Sequence, residues 1–249
     1  MRVRARYAKT GRLRFVSAID LGRLWERALR KADLPIAYSE GFSPHPKVSF
    51  PDALPLGYAS TGEYVELTFA APVRLPADID ALNAVFGDGL RILHAADVPD
   101  GIARLGKLLQ ASLWDLSYPD EVDATALAAA VDAVRATPAL LVGRERKGQT
   151  VEVDLRPAIH QISTAPDGAR VRVTLHHVDH LPPDAAAGLA VRPSEVHAAL
   201  QLHTDGPLPE PALVMRVAQG APTDDGLTEA LTGEHIAVEA GRPALPRGL

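Results

Sequence analysis

The amino-acid sequence predicts an α+β fold of two tandem ferredoxin-like domains, each a β-α-β-β-α-β unit with an antiparallel sheet. Alternating apolar and polar segments are separated by segments with apolar residues at helical spacing, and this order occurs twice. With 249 residues, 47% of them hydrophobic, the chain is long enough for two buried cores. The predicted domains are residues 1–105 and 106–220, followed by a loose tail at 221–249 that is rich in glycine, proline and small residues.

The N-terminal domain is predicted to begin with a strand at 2–8, where arginines alternate with apolar residues and form one basic face. A helix follows at 17–32, because Ser17 can cap it, Asp20 can complete a capping box and apolar residues recur at helical spacing. The remaining predicted elements are strand pieces at 36–39 and 47–50, a strand at 62–70, a helix at 77–86 and a strand at 90–98.

The C-terminal domain is predicted to repeat this order with one additional strand. Glycine-containing turn signals at 147–148 and 166–168 separate two strand pairs. The predicted strands are 113–118, 140–146, 150–155, 159–164, 170–178 and 213–218, and the predicted helices are 124–136 and 193–200.

Charge is distributed unevenly along the chain, whose formal net charge is −5. Residues 1–50 carry 11 Lys and Arg against 4 acidic residues, a net charge of +7, and the remaining residues carry −12. A phosphate-rich partner would therefore meet the N-terminal part first, although a solvated basic surface explains the same charge.

The chain contains no cysteine. This excludes disulfides, thiolate zinc sites, cysteine nucleophiles and a cysteine-bound iron–sulfur cluster, so the chain cannot itself perform radical S-adenosylmethionine (SAM) chemistry. No apolar run approaches the ~20 residues that span a bilayer, and the N-terminus lacks the apolar region of a secretory signal. We therefore expect a cytoplasmic protein with no membrane partner and no cofactor.

The loop Ser39–Lys47, with the sequence SEGFSPHPK, is the strongest candidate for recognition because ordinary folding does not require this composition. Pro44 and Pro46 restrict the backbone on both sides of His45. The imidazole could act as a general acid or base, contact a ligand, or hydrogen-bond the loop to itself. The side chain of Phe42 could stack on a base or anchor the loop.

Arginines of the first predicted helix lie on one face, because Arg23, Arg27 and Arg30 follow one another at intervals of four and three residues. Phosphate binding and plain solvation explain this row equally well. No catalytic residue is assigned, and His45 is the only candidate. The residues predicted to bind a ligand are Arg4, Arg6, Arg12, Arg14, Arg23, Arg27, Phe42, Ser43, His45, Lys47 and Tyr64.

Two acidic residues, Glu63 and Glu66, bracket Tyr64 near the start of a predicted strand. In a regular strand Glu66 shares the outward face with Tyr64, while Glu63 points the other way. Ion pairs of these glutamates with Arg12 or Arg14 are favoured over a paired-carboxylate acid/base site, because the spacing does not bring the two carboxylates together.

A metal-like cluster is present at His176, His177, Asp179 and His180. Because His176 and His177 point to opposite faces of a strand, the ligands do not converge, and no metal site is predicted. The sequence also lacks a glycine-rich phosphate loop, a zincin helix and a nucleophile elbow.

The run LRFVSAIDLGRLWERALRKADLPIAYSEGFSPHPKVSF, followed by LPLGYASTGEYVEL and later by RPSEVHAAL at 192–200, resembles the radical-SAM-associated domain of unknown function. In that family the domain is fused to the C-terminus of a cobalamin-binding radical SAM enzyme or is free-standing. Free-standing members tend to be encoded beside a ribonuclease of the E/G type. The resemblance covers most of the chain, and its specific motifs lie within 14–67.

This resemblance implies a substrate-handling or partner module, with RNA as the substrate class and a radical SAM enzyme or an E/G-type ribonuclease as a possible partner. We expect a non-catalytic RNA-binding or substrate-presenting module. The alternatives are a metal-independent endoribonuclease that uses His45, and a protein adaptor whose acidic second domain docks an enzyme. The predicted fold is also similar to that of CRISPR repeat-processing endoribonucleases, by analogy alone. The RNA, the partner enzyme and the oligomeric state stay open.

Overall fold

The computed structural model describes residues 1–99, 101–181 and 190–239 and shows a mixed α+β protein with mostly antiparallel strand pairing. The chain divides into two compact units. The N-terminal unit contains Met1–Leu108 and Ala230–Gly233, and the C-terminal unit contains Leu109–Glu229 and residues 234–239. The predicted α+β class is confirmed. Among the described residues, no helix has the length and apolar character needed to cross a membrane.

The N-terminal unit has the strand order β4-β1-β3-β2, and every neighbouring pair is antiparallel. A 3-10 turn at Gly11–Phe15 leads from β1 toward α1. The strand piece predicted at 36–39 is reduced to isolated bridges between Ile36 and Phe69 and between Tyr38 and Pro46. The elements are β1 (Arg2–Lys9), α1 (Ala18–Lys31), β2 (Val48–Ser49), β3 (Ala59–Thr68), α2 (Ala77–Val85), β4 (Leu90–Asp97) and α3 (Leu105–Leu108).

Helix α1 begins where the sequence predicts because Ser17 caps it. Ser17 Oγ accepts a hydrogen bond from the Asp20 backbone N–H at 3.1 Å and donates one to the Asp20 carboxylate at 2.8 Å. One of the free N–H groups of the first turn is thereby satisfied, and the acidic side chain lies near the positive end of the helix dipole.

The apolar face of α1 packs into the core of the N-terminal unit. Trp25 is fully buried, and its ring lies edge-on to the rings of Tyr7, Phe50 and Phe86 at centroid distances of 5.2, 6.1 and 4.9 Å. Such edge-to-face contacts suit the charge distribution of aromatic rings. Further buried core residues are Val3, Ala5, Leu21, Leu29, Val65, Leu67, Ile79 and Leu82.

The C-terminal unit has the strand order β10-β5-β9-β8, again with antiparallel neighbours. Strands β6 and β7 form a separate two-stranded hairpin. Asp123 caps α4 by accepting hydrogen bonds from the N–H groups of Thr125 and Ala126. The elements are β5 (Ala111–Ser117), α4 (Ala124–Ala136), β6 (Leu141–Arg146), β7 (Gln149–Asp154), β8 (Ile159–Thr164), β9 (Arg170–His176), α5 (Pro193–Gln201), β10 (Leu213–Thr223), β11 (Gly226–Glu229) and β12 (His235–Ala237).

The structure differs from the expected loose tail at residues 221–239. Strand β10 continues to Thr223, β11 pairs with β10 and β12 pairs with β11. Leu227 and Val238 are buried. The segment contains few apolar residues, so its periodicity is weak, but the hydrogen bonds to β10 order it. Residues 240–249 of the expected tail lie outside the described part of the chain.

A buried charged group lies between β5 and β9. The Asp115 carboxylate accepts hydrogen bonds from Arg172 Nε at 2.7 Å, Arg172 Nη2 at 2.9 Å and Arg170 Nη1 at 3.0 Å. Arg170 also pairs with Asp167 at 2.9 Å. The formal charges of these four side chains cancel, which makes the burial of two guanidinium groups tolerable.

Candidate functional site

The loop Ser39–Lys47 is closed at its base by hydrogen bonds. The Ser39 N–H donates to the His45 carbonyl at 2.8 Å, and the His45 N–H donates to Ser39 Oγ at 3.0 Å. The Lys47 N–H donates to the Ala37 carbonyl at 2.7 Å. Gly41 has a φ of 122°, a conformation that residues with a Cβ rarely adopt, and it allows the chain to reverse near the loop tip.

The side chains at the tip of this loop are presented to solvent. Phe42 is fully exposed, and Ser43, His45 and Lys47 are exposed as well. Within the described residues, the His45 imidazole and the Lys47 ammonium have no hydrogen bond or ion pair. Phe42 is therefore not an anchor of the loop, and an exposed phenylalanine forgoes about 1.5–3 kcal/mol that burial against a partner would recover.

The arginines of α1 lie on its outer face, as the spacing predicts. Arg23 and Arg27 are both exposed. Arg23 pairs with Asp20 at 3.2 Å, but both side chains are more than half exposed, so the pair contributes little and can exchange for another anion. Arg27 has no polar partner among the residues that the structure describes. Arg23 and Arg27 therefore offer two guanidinium groups to a ligand.

The 3-10 turn before α1 supplies two further predicted arginines. Arg12 is exposed, whereas Arg14 is half-buried with its guanidinium 4.7 Å from the centre of the Phe15 ring. Arg14 Nε is buried and has no hydrogen-bond partner among the described residues. Arg12 is free to approach a ligand, while Arg14 is held by its contact with Phe15.

The expectation that Arg4 and Tyr64 face a ligand is wrong, because both side chains are buried. Arg4 Nε pairs with Glu66 at 2.8 Å, and Arg4 Nη2 donates to the Ala103 carbonyl. The expected pairing of Glu66 with Arg12 or Arg14 is replaced by this contact. Part of the physical reason is that the Ala103 carbonyl, distant in sequence, contacts Arg4, which the alternation alone does not reveal. Arg6 is half-buried and donates to the Thr61 carbonyl at 2.8 Å.

One histidine of the metal-like cluster, His176, lies near His160, which is outside the cluster. The rings of His176 and His160 lie edge-on with centroids 5.0 Å apart. Among the described residues, no group of three or more His, Cys, Asp and Glu side chains is arranged to hold a metal ion. Burial lowers the pKa of His176, and the nearby His160 and His180 lower it further.

We expect this lowered pKa to make stability pH-dependent. As the pH falls from about 6.5 toward the lower folded pKa, the unfolded chain takes up a proton that the folded chain does not, so the free energy of unfolding decreases. In the His176→Gln variant, the decrease in the free energy of unfolding at acidic pH should be smaller. Urea unfolding at a series of pH values measures this decrease. His45→Gln, at an exposed position, is the control. Parallel profiles for His176→Gln and the unsubstituted chain would contradict the expectation.

The sequence did not reveal an apolar surface next to the arginines of the 3-10 turn. Phe15 and Leu56 are each more than 60% exposed, and the Phe15 ring lies beside Gly57. The Gly57 N–H donates to the Arg14 carbonyl at 2.9 Å, which joins the two segments. Ile19, one turn further along the chain, is also largely exposed. The sequence signal that could have indicated this surface is Phe15, an aromatic residue outside the apolar stripe of α1.

The comparisons place the chain in a family. A family model described as an uncharacterized protein conserved in bacteria (DUF2344) matches residues 2–183. A search of the curated proteins gives no match. The matched region includes α1, the loop Ser39–Lys47 and the strands through β9. Because the model matches well over half of the chain, the protein belongs to the bacterial DUF2344 family.

Proposed function

We propose that the protein is a non-catalytic RNA-binding or substrate-presenting module that serves a radical SAM RNA-modifying enzyme or RNA-processing machinery in the cytoplasm. The observation that carries the proposal is the loop Ser39–Lys47, which holds a fully exposed Phe42 on a base closed by hydrogen bonds. The suggested partners, a radical SAM enzyme or an E/G-type ribonuclease, rest on the resemblance of residues 14–67 alone.

The chemistry of this surface suits a single-stranded nucleic acid. An exposed aromatic ring is a platform on which a base can stack, and exposed cations attract the phosphate backbone. Phe42 supplies the ring, and Arg12, Arg23, Arg27 and Lys47 supply cations that project into solvent. Arg4 and Tyr64 are not part of the proposed surface because they are buried.

We also propose that both units are ferredoxin-like. When the strands of each β-α-β-β-α-β unit are numbered in chain order, the strands of both units have the order four, one, three, two: β4-β1-β3-β2 and β10-β5-β9-β8. In the C-terminal unit this reading treats the β6–β7 hairpin and the strands β11 and β12 as additions.

Substitutions at the loop tip test the proposal. Phe42→Ala and His45→Ala should each fold normally, because the Phe42 side chain is fully exposed and the loop-closing hydrogen bonds of His45 use only its backbone. Loss of a stacked base costs about 1–3 kcal/mol, so Phe42→Ala should weaken RNA binding about tenfold. The measurement is crosslinking and sequencing of RNA that co-purifies with the protein, followed by titration of the recovered sequence.

Leu202→Ala, which removes an exposed apolar side chain from the C-terminal unit, is the control and should bind RNA normally. Equal RNA affinity of Phe42→Ala and the unsubstituted protein would contradict the role of the loop. Cleavage of the RNA in EDTA that disappears in His45→Ala would favour the endoribonuclease alternative.

An adaptor that docks its partner through the N-terminal unit, and not through the acidic second domain, has its own supporting observation, the exposed apolar side chains of Phe15, Ile19 and Leu56. Exposed apolar surface is typical of protein contacts. This alternative expects an enzyme partner to co-purify after nuclease treatment and to be lost in a Phe15→Ser, Leu56→Ser variant. A complex that dissociates on nuclease treatment would instead be held together by RNA.

A further inference from the structure

The C-terminal unit contains an open cavity of about 730 Å³, a volume typical of small-molecule sites. The end of α4, strand β8, the turn between β10 and β11 and the end of β12 contribute to its walls. None of these elements belongs to the surface proposed to bind RNA. The charged or titratable side chains that line the cavity are Arg135, Arg156, His160, Asp224, Asp225 and Glu239.

Two guanidinium groups of this cavity are oriented by backbone carbonyls. Arg135 Nη2 donates to the Ile162 carbonyl at 2.9 Å, and Arg156 Nη2 donates to the Ile159 carbonyl at 2.7 Å. A guanidinium has five N–H groups, so each arginine keeps donors for a ligand. Burial lowers the pKa of Arg156, although the nearby Asp154 raises it.

The lining also contains acceptors that have no hydrogen-bond partner among the described residues. Within the described residues, the carboxylates of Asp224 and Glu239 have no hydrogen bond or ion pair, whereas Asp225 lies 3.1 Å from His235. Gln161 Nε2 donates to the Asp224 carbonyl, and its Oε1 atom is buried without a partner among the residues described. A ligand here can donate hydrogen bonds as well as accept them.

Two hydrogen bonds hold the walls of the cavity together. His160 Nε2 donates to the Thr223 carbonyl at 2.8 Å, and Ser163 Oγ donates to the Val238 carbonyl at 3.2 Å. Strand β8 is thereby joined both to the turn that carries Asp224 and to the segment that carries Glu239. The cavity is preorganised, which reduces the entropic cost of binding.

We propose that this cavity binds a small phosphomonoester with vicinal hydroxyls, whose phosphate contacts Arg135 and Arg156 and whose hydroxyls donate to the carboxylates of Asp224 and Glu239. Arginine recognises phosphate through paired, charge-assisted hydrogen bonds, and a carboxylate accepts from hydroxyl groups. An anion without hydroxyl-bearing carbons, such as inorganic phosphate, would also lie near the acidic side chains and would be repelled by their negative charge. A sugar phosphate or a nucleoside monophosphate satisfies both sets of groups.

Calorimetric titration of the full-length protein tests the proposal. The probes are ribose 5-phosphate, adenosine 5′-monophosphate, adenosine and inorganic phosphate. Ribose 5-phosphate and the monophosphate should bind at least tenfold more tightly than adenosine or inorganic phosphate. Tighter binding of the nucleotide identifies a nucleotide site, and equal binding of the two identifies a sugar-phosphate site. Absence of heat with every probe overturns the proposal.

Two variants locate the binding in this cavity. Arg156→Gln should weaken binding of both phosphomonoesters at least tenfold, whereas Arg146→Gln, at an exposed position of the β6–β7 hairpin, should not. Asp224 lies on an exposed turn, so the Asp224→Asn variant should fold even if the Arg156→Gln variant does not. It should reduce the preference for ribose 5-phosphate over inorganic phosphate. An unchanged preference in Asp224→Asn, or unchanged binding in a folded Arg156→Gln variant, overturns the proposal. RNA binding through the loop Ser39–Lys47 is measured separately and does not depend on either result.

Discussion

The double variant Arg23→Ala, Arg27→Ala is expected to lose about half of the salt dependence of the protein's affinity for single-stranded RNA. If Arg12, Arg23, Arg27 and Lys47 each neutralise one phosphate, log affinity should fall with log salt concentration with a slope of about −2.8. A rise from about 50 to about 200 mM salt would then weaken binding about 50-fold. In the double variant the slope should fall to about −1.4, with at least tenfold weaker binding at about 50 mM salt.

The physical basis is that each cation bound to a phosphate releases counterions from the RNA. Arg23 and Arg27 are exposed one helical turn apart, and removing them does not touch the buried stripe of α1. Arg91→Ala is the matched control, because Arg91 is an exposed arginine on β4, at the opposite end of the strand order from β2. Fluorescence anisotropy over a salt series gives the slopes. An affinity that does not change with salt would rule out backbone contacts.

Asp115→Ala is expected to destabilise the protein by about 3–5 kcal/mol, the largest effect of any single substitution proposed for stability. Asp115 is buried and accepts three hydrogen bonds from two buried arginines. The substitution removes the carboxylate that compensates these charges and leaves Arg172, which is fully buried, without its closest anion. Urea unfolding monitored by tryptophan fluorescence measures the loss.

The control for this experiment is Asp132→Ala, which removes an exposed carboxylate paired with Arg135 at 3.2 Å. Exposed pairs contribute about 0–1 kcal/mol, so this variant should be nearly as stable as the unsubstituted protein. If Asp115→Ala and Asp132→Ala lowered the free energy of unfolding by similar amounts, the buried ion pair would contribute no more to stability than the exposed pair. A variant in which Asp115 and Arg172 are both replaced by apolar residues should recover part of the loss, because the buried guanidinium of Arg172 is then removed together with its carboxylate partner.

The local sequence was sufficient for the elements whose signals are strong. Helix α1 was predicted from Ser17, Asp20 and the apolar spacing, and the structure places its cap and its buried stripe there. The exposed row of Arg23 and Arg27 follows from the same periodicity. The loop Ser39–Lys47 was identified from composition, but its closure through Ser39 and the exposure of Phe42 were not predicted.

Strand β1 shows what apolar–polar alternation does not predict. Alternation in β1 correctly grouped the side chains that share a face, and Val3, Ala5 and Tyr7 are buried as predicted. It did not say what covers the other face, where Arg4 contacts Glu66 and Ala103. Periodicity reports which residues lie together on one element, not which distant segment packs against them.

By itself the sequence determined the α+β class, the order of the main helices and strands, the basic character of residues 1–50 and the absence of thiol chemistry. Only the tertiary structure decided which arginines are exposed, that residues 221–239 include two further strands, and that Arg135, Arg156, Asp224 and Glu239 line one cavity. Local spacing encodes which face of an element is apolar. The contacts between elements depend on side chains far apart in the chain, which only the packed fold brings together.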